Sequence, residues 1–194
     1  MKFSIIFVVG FFGIVLNNTC SAQFGRIDST LKMGKVGYKI SCNNKSLTEN
    51  DVTIKPIGFD KDAREMRFMI KGRISKTEID DLNADGFPDL VVYIFSGLNA
   101  ELGTVYGFAS DQNKSYVPFV LPDVMLDGKL KDGYKGYDHF MLLEGKLMRE
   151  FPLYLSNDAK DKPSGGKRII MYTVVSNSSG GFEFKVQTSY DIKS

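Results

Sequence analysis

Cysteine and histidine are scarce in this sequence, and their scarcity excludes several kinds of site. The 194 residues include 2 cysteines and 1 histidine, His139. One histidine excludes zinc sites that are built from several imidazoles. Only Cys42 lies outside the N-terminal segment described below, so neither a disulfide-stapled scaffold nor a cysteine-based metal site is expected. Cys42 falls in a predicted strand, where we expect it to be a small buried hydrophobic side chain.

The sequence also lacks a strong net charge and, after its N-terminus, a long apolar run. Its formal net charge is +2, from 25 basic and 23 acidic residues. A nearly neutral protein gives no electrostatic reason to expect binding to nucleic acid or to a membrane surface. No later segment has the roughly 18–20 consecutive apolar residues that a membrane-spanning helix needs.

The N-terminus has the pattern of a secretory signal peptide. Lys2 forms a short basic region, and an apolar run, Ser4–Leu16, follows it. Cys20 and Ala22 place small residues at positions −3 and −1 of a cleavage site before Gln23. The alternative is lipid attachment at Cys20.

The domain organisation follows from this cleavage site. We predict a signal peptide at residues 1–22 and one domain at residues 23–194, which is long enough to bury a core. Cleavage removes one of the 25 basic residues and none of the 23 acidic ones, which leaves a net charge of +1. The expected location is periplasmic or secreted.

Oxygen-bearing side chains recur at short spacing from Asp81 to Asp89, in the pattern D-x-N-x-D-G-x-x-D. Calcium takes six to eight oxygen ligands, and alternating acidic residues in a tight turn supply several of them. The spacing begins like an EF-hand, but Val92 occupies the position of the EF-hand glutamate and a strand follows. The alternative is a metal-free Asx turn, because Asp, Asn and Gly are also common turn residues. The predicted calcium ligands are the side chains of Asp81, Asn83, Asp85 and Asp89 and the main-chain carbonyl of Phe87.

Strand patterns recur along the chain, and no segment keeps a helical period over three turns. In residues 182–187, for example, apolar and polar residues alternate, as in a half-buried strand. Residues 23–34 are expected to be an irregular lead-in. Short strands separated by Gly- and Asn-rich turns predict an all-β fold, an antiparallel β-sandwich. The predicted strands are Val36–Cys42, Val52–Phe59, Glu65–Ile74, Asp89–Phe95, Thr104–Ala109, His139–Leu143, Lys146–Leu155, Arg168–Ser176 and Gly181–Tyr190.

Motifs for hydrolytic chemistry are missing. A Ser-His-Asp triad would have to use His139, which begins a predicted strand, and the chain has no G-x-S-x-G motif. Gly165-Gly166-Lys167 lacks the remainder of a phosphate-binding loop. No pair of carboxylates is singled out for glycoside hydrolysis. We therefore do not expect an enzyme.

Four sequence blocks share their order and spacing with a known family. Asp81–Tyr93 carries D-L-N-x-D-G-x-P-D-L before a V-Y pair, and Gly133–Phe140 carries G-Y-x-G-x-D-x-F. Glu144–Tyr154 carries E-G-x-L-x-R-x-F-P-x-Y, and Pro163–Arg168 carries P-x-G-G-x-R. Together the blocks resemble the periplasmic inhibitors of invertebrate-type (i-type) lysozyme, over roughly residues 50–190.

The resemblance implies a secreted, homodimeric β-sandwich that binds a lysozyme and performs no reaction. In the family, the loop after the V-Y strand enters the substrate cleft, where a serine and a tyrosine of an S-G-x-Y motif hydrogen-bond the catalytic carboxylates. The corresponding segment here is Ser96–Gly103. The implied inhibitory loop residues are Ser96, Gly97, Leu98, Asn99, Glu101 and Leu102.

The loop departs from the family pattern at three positions. Asn99 aligns near the serine and still offers a hydrogen-bond donor, whereas Leu102, near the tyrosine, offers none. Glu101 would face acidic groups at a like-charge cost. Ser96-Gly97 fits the S-G pair by a shifted alignment.

Two other interpretations stay open. The first is a calcium-binding interaction or structural module of the cell envelope on the same fold, without inhibitory activity. The second is an envelope-associated enzyme. The blocks also have a structural interpretation, in which Asp138 and Arg149 form a buried ion pair that orients two neighbouring strands.

Overall fold

The computed structural model describes residues 24–159 and 161–193, which form twelve β-strands and one 3₁₀ turn, Val124–Leu126. The predicted signal peptide, with Cys20, lies outside the described residues. The described residues contain no helix long and apolar enough to span a bilayer.

The strands are β1 (Ile27–Met33), β2 (Val36–Cys42), β3 (Glu49–Ile57), β4 (Met66–Lys71), β5 (Arg73–Asp80), β6 (Asp89–Ser96), β7 (Leu102–Asp111), β8 (Ser115–Val120), β9 (His139–Leu143), β10 (Lys146–Pro152), β11 (Lys167–Ser176) and β12 (Phe182–Ile192).

The strands form three four-stranded antiparallel sheets, and in each sheet the strands follow chain order. We call them the first sheet (β1–β4), the central sheet (β5–β8) and the third sheet (β9–β12). The predicted all-β, antiparallel sandwich is confirmed. The strand pattern did not predict that the strands would divide into three sheets.

The central sheet is covered on both faces, and β6 shows this most clearly. Its first six residues, from Asp89 to Ile94, are all buried. Leu90 and Ile94 pack into a core with the first sheet, while Val91 and Tyr93 pack into a second core with the third sheet. A strand buried on both faces carries a continuous β-branched and aromatic run instead of alternating polarity, as β6 does.

Three parts of the predicted strand pattern are wrong. The lead-in at residues 23–34 contains β1, which pairs with β2 along its whole length. The predicted strand Glu65–Ile74 is divided at Gly72, whose φ of +106° suits glycine, and its halves enter different sheets. β8 was not predicted; it carries Pro118 and forms one edge of the central sheet, a position that tolerates proline.

Cys42 ends β2 inside the first core, as predicted. Its side chain is 5% exposed and forms no disulfide. Burial raises the pKa of its thiol, which keeps the sulfur in the unreactive protonated form.

Candidate functional site

The predicted inhibitory loop is the turn that joins β6 to β7. Ser96, the last residue of β6, pairs with Leu102, the first residue of β7, so the hairpin stays paired up to a five-residue tip. Leu98 at this tip is 84% exposed, and Leu102 is 46% exposed. The turn therefore presents apolar side chains to solvent at the end of a strand whose first six residues are buried.

The tip is closed by bonds within the loop. Gly97 has a φ of +92° and Ala100 a φ of +55°, and the Ala100 amide donates to the Gly97 carbonyl at 3.2 Å. The Glu101 carboxylate accepts a 2.9 Å hydrogen bond from the Asn99 amide and lies in the space that a Cβ at Gly97 would need. Glu101 therefore helps to shape the tip, a role that the sequence did not indicate.

The base of the loop is fixed by the segment before β9. The Gly103 amide donates to Asp138 Oδ2 at 2.8 Å, and the Tyr137 amide donates to the Glu101 carbonyl. A Cβ at Gly103 would come within 2.5 Å of the Phe140 ring, so only glycine allows this approach. The tip thus protrudes from a base whose β7 arm is bonded to the segment before β9.

Behind this base lies a buried ion pair. Arg149 Nε donates to Asp138 Oδ1 at 2.7 Å, and the two side chains are 3% and 0% exposed. The Tyr134 hydroxyl donates to Asp138 Oδ2 at 2.6 Å and accepts from Arg149 at 2.9 Å. The predicted ion pair of Asp138 and Arg149 is confirmed.

The pKa values of Arg149 and Tyr134 are both raised in this network. Burial disfavours the Arg149 cation, but the adjacent Asp138 carboxylate outweighs burial and raises the pKa of Arg149. Burial, together with Asp138, raises the pKa of Tyr134, so that its hydroxyl stays protonated and donates. Two of the blocks that carry the resemblance, Gly133–Phe140 and Glu144–Tyr154, therefore meet at the base of the loop.

A groove of about 360 Å³ runs from the loop base towards the end of β8. Leu102, Val120 and Met125 form apolar walls, and Tyr134 and Arg149 contribute polar atoms. The first three are 46%, 46% and 51% exposed. Because no strand was predicted for β8, nothing placed its end beside the loop, and the groove was not predicted.

The predicted calcium segment forms a tight turn between β5 and β6 that is bonded to itself. The Asp81 carboxylate accepts from the amides of Asp85 and Gly86 at 3.0 and 2.8 Å. Asp85 accepts from the Phe87 amide and from the Asn83 side chain, both at 2.9 Å. These bonds are those of the Asx turn that the sequence left open as the alternative to calcium.

Asp89 has a different environment from the other acidic residues of this turn. It is fully buried, and its carboxylate accepts from the amides of Leu82 at 2.9 Å and Ser110 at 2.8 Å. Burial, opposed by these two hydrogen bonds, raises its pKa from the ordinary 3.8 to about 7. Asp89 therefore ties the β5–β6 turn to β7 from a buried position, whereas the carboxylates of Asp81 and Asp85 lie in the exposed turn.

Across residues 24–159 and 161–193, no three acidic, histidine or cysteine side chains are grouped so that they could hold a metal ion. A cation at this turn would rest on the carboxylates of Asp81 and Asp85, with Asn83 and the Phe87 carbonyl as neutral donors. Hard cations accept such mixed oxygen sets when water completes the shell.

No protein-family model matches this chain, and no curated protein matches it.

The buried ion pair gives the first testable prediction. Arg149→Ala should lower the free energy of unfolding by about 3–5 kcal/mol, because it leaves Asp138 buried without a cation. Arg67→Ala, which removes an exposed pair with Glu65, should cost less than about 1 kcal/mol. Urea denaturation of both variants measures the difference, and equal costs would contradict the prediction.

Asp89 gives the second prediction, on pH dependence. Because its folded-state pKa is above the unfolded value, folding favours the protonated form. Wild type should therefore lose stability relative to Asp89→Asn as the pH rises from 4 towards 7, by at most about 1.4 kcal/mol per pH unit. Urea denaturation of both proteins across this range, with chelator present, measures the change. A difference that stays constant with pH would show that Asp89 keeps an ordinary pKa.

Proposed function

We propose that this chain is an exported protein inhibitor of an i-type lysozyme, which inserts the 96–103 turn into the enzyme's substrate cleft and catalyses no reaction. The observation that carries the proposal is the form of this turn, an exposed apolar tip on a rigid hairpin. A loop that is already held in one conformation loses little conformational entropy on binding, and such loops make tight inhibitors.

The chemistry of the tip suits a cleft that contains carboxylates. Asn99 is exposed, while its main-chain amide is tied to Glu101. Its side-chain amide offers two donors, and catalytic carboxylates of glycoside hydrolases are acceptors. Leu98 and Leu102 on either side would fill apolar subsites. The Glu101 carboxylate is turned back onto the Asn99 amide, which moderates the like-charge cost expected from the sequence.

The packing behind the loop supports the same proposal. The second and third blocks of the resemblance supply Asp138 and Arg149, which hold the loop base through the Gly103 amide. The sequence features that resemble the inhibitor family are therefore the ones that rigidify the proposed inhibitory loop. The homodimer that the resemblance implies stays a prediction.

A second candidate function is a calcium-binding module of the cell envelope without inhibitory activity. The observation that favours it is the charge of the β5–β6 turn. None of the ion pairs within the described part of the chain involves Asp81 or Asp85. Two carboxylates held in one short turn repel each other unless a cation neutralises them.

The third prediction tests inhibition. Mature protein should slow the clearing of a bacterial cell-wall suspension by i-type lysozyme more than clearing by c-type or g-type lysozyme. Asn99→Ala should weaken binding roughly thirtyfold, about 2 kcal/mol, because it removes the proposed contact to a catalytic carboxylate.

Asn43→Ala is the matched control, since Asn43 is exposed on the turn after β2. If no lysozyme is slowed, the proposed function is wrong; if Asn99→Ala, Leu102→Ala and Ser96→Ala all bind like wild type, the contact lies elsewhere.

The fourth prediction tests calcium. Excess calcium should raise the melting temperature over that in chelator, by mass action on the folded state. Asp85→Asn keeps an acceptor for the Phe87 amide but removes the charge, so it should melt like wild type in chelator and lose most of the calcium response. Asp85→Ala should abolish the response. Identical wild-type melting curves in calcium and chelator would leave the metal-free Asx turn as the correct interpretation.

A further inference from the structure

The outer face of the third sheet carries a row of methionines. In the register of β9, β10 and β11, Met148 lies opposite Met141 on one side and opposite Met171 on the other. Directly opposed residues of antiparallel strands have Cβ atoms about 4.5–5.5 Å apart. Three flexible thioether side chains therefore stand side by side across three adjacent strands.

These methionines face away from the protein core. The residues that flank Met148 in β10, Leu147 and Arg149, are buried among the core side chains, which places Met148 on the opposite face. Met141 is 38% exposed, and Met148 and Met171 are half-buried. The three methionines are thus partly accessible to solvent, and the sheet covers them on one side.

His139 is the next residue on the same face. It lies two positions before Met141 in β9 and opposite Glu150 in β10, and its side chain is exposed. The Glu150 carboxylate is paired with Lys167 at 2.9 Å. The face therefore offers three thioethers and one imidazole, and the carboxylate opposite the imidazole, that of Glu150, is paired with Lys167.

We propose that Met141, Met148, Met171 and His139 form a binding site for a soft monovalent cation, Cu(I) or its analogue Ag(I). Thioether sulfur is a soft ligand that selects Cu(I), and imidazole suits copper as well. Hard cations prefer oxygen ligands and would gain nothing from three thioethers. The site is chemically distinct from the acidic β5–β6 turn and does not depend on the proposed inhibition.

The test measures Cu(I) binding by the full chain in which Cys20 and Cys42 are both replaced by alanine, so that no thiol contributes. With copper kept reduced under anaerobic conditions, the protein should withdraw one Cu(I) from a chromophoric Cu(I) chelator. Met148→Leu and Met171→Leu remove a thioether but keep an apolar side chain of similar volume, and each should weaken binding at least about tenfold. His139→Gln should weaken it as well. Met69→Leu is the matched control, because Met69 is exposed on β4 of the first sheet and should not matter.

A second measurement identifies the ligands directly. With Ag(I), which is redox-inert under these conditions, the methyl resonances of Met141, Met148 and Met171 should shift, while those of Met69 and Met125 should stay in place. Failure to compete for Cu(I), unchanged affinity in both Leu variants, or equal shifts of all methionine methyls would each overturn the proposal.

Discussion

Burial of β6 on both faces is the constraint on which the rest of this structure depends. A strand with apolar side chains on both sides needs a covering layer on each, which the first and third sheets provide. The strand also fixes the distance between the two candidate sites. The acidic turn leads into its first residue, Asp89, and the exposed hairpin tip follows its last residue, Ser96. Eight extended residues span about 25 Å, so the two sites lie at opposite ends of the central sheet and have separate surroundings.

The two ends of β6 show two ways to bury a carboxylate. Asp138, near the hairpin, has Arg149 at 2.7 Å and a tyrosine hydroxyl beside it, so charge is balanced by charge. Asp89, near the acidic turn, has only main-chain amides, and burial raises its pKa to about 7. The first arrangement holds the base of a loop through a pair of opposite charges. The second makes the link from Asp89 to the β5–β6 turn and to β7 sensitive to protonation. The acidic turn shares that sensitivity through charge repulsion.

Local pattern predicted most of the strands, and tertiary contacts decided what it missed. β2 and β9 have the predicted bounds, because their apolar residues are bracketed by clear turn signals. β1 was missed because Ser29 interrupts its apolar alternation, and only pairing with β2 makes it a strand. The residues around Gly72 continue the strand pattern, so the passage of the chain from the first sheet to the central sheet at Gly72 was not predicted. Within the candidate site, spacing located the turn but could not show that Glu101 folds back onto it, nor that Asp89 turns inward while Asp81 stays in the loop. Those outcomes depend on side-chain directions that neighbouring strands impose.

The order of strands in the sheets has a consequence for how the chain folds. Each sheet is a meander of four consecutive strands, so most strand pairing joins residues that are close in sequence. Short loop closures cost little entropy, which favours rapid pairing within each meander compared with Greek-key topologies. Stacking is then the step at which distant parts of the chain first meet. The central meander exposes apolar surface on both faces until then, so its persistence during folding depends on how soon a flanking meander docks onto it.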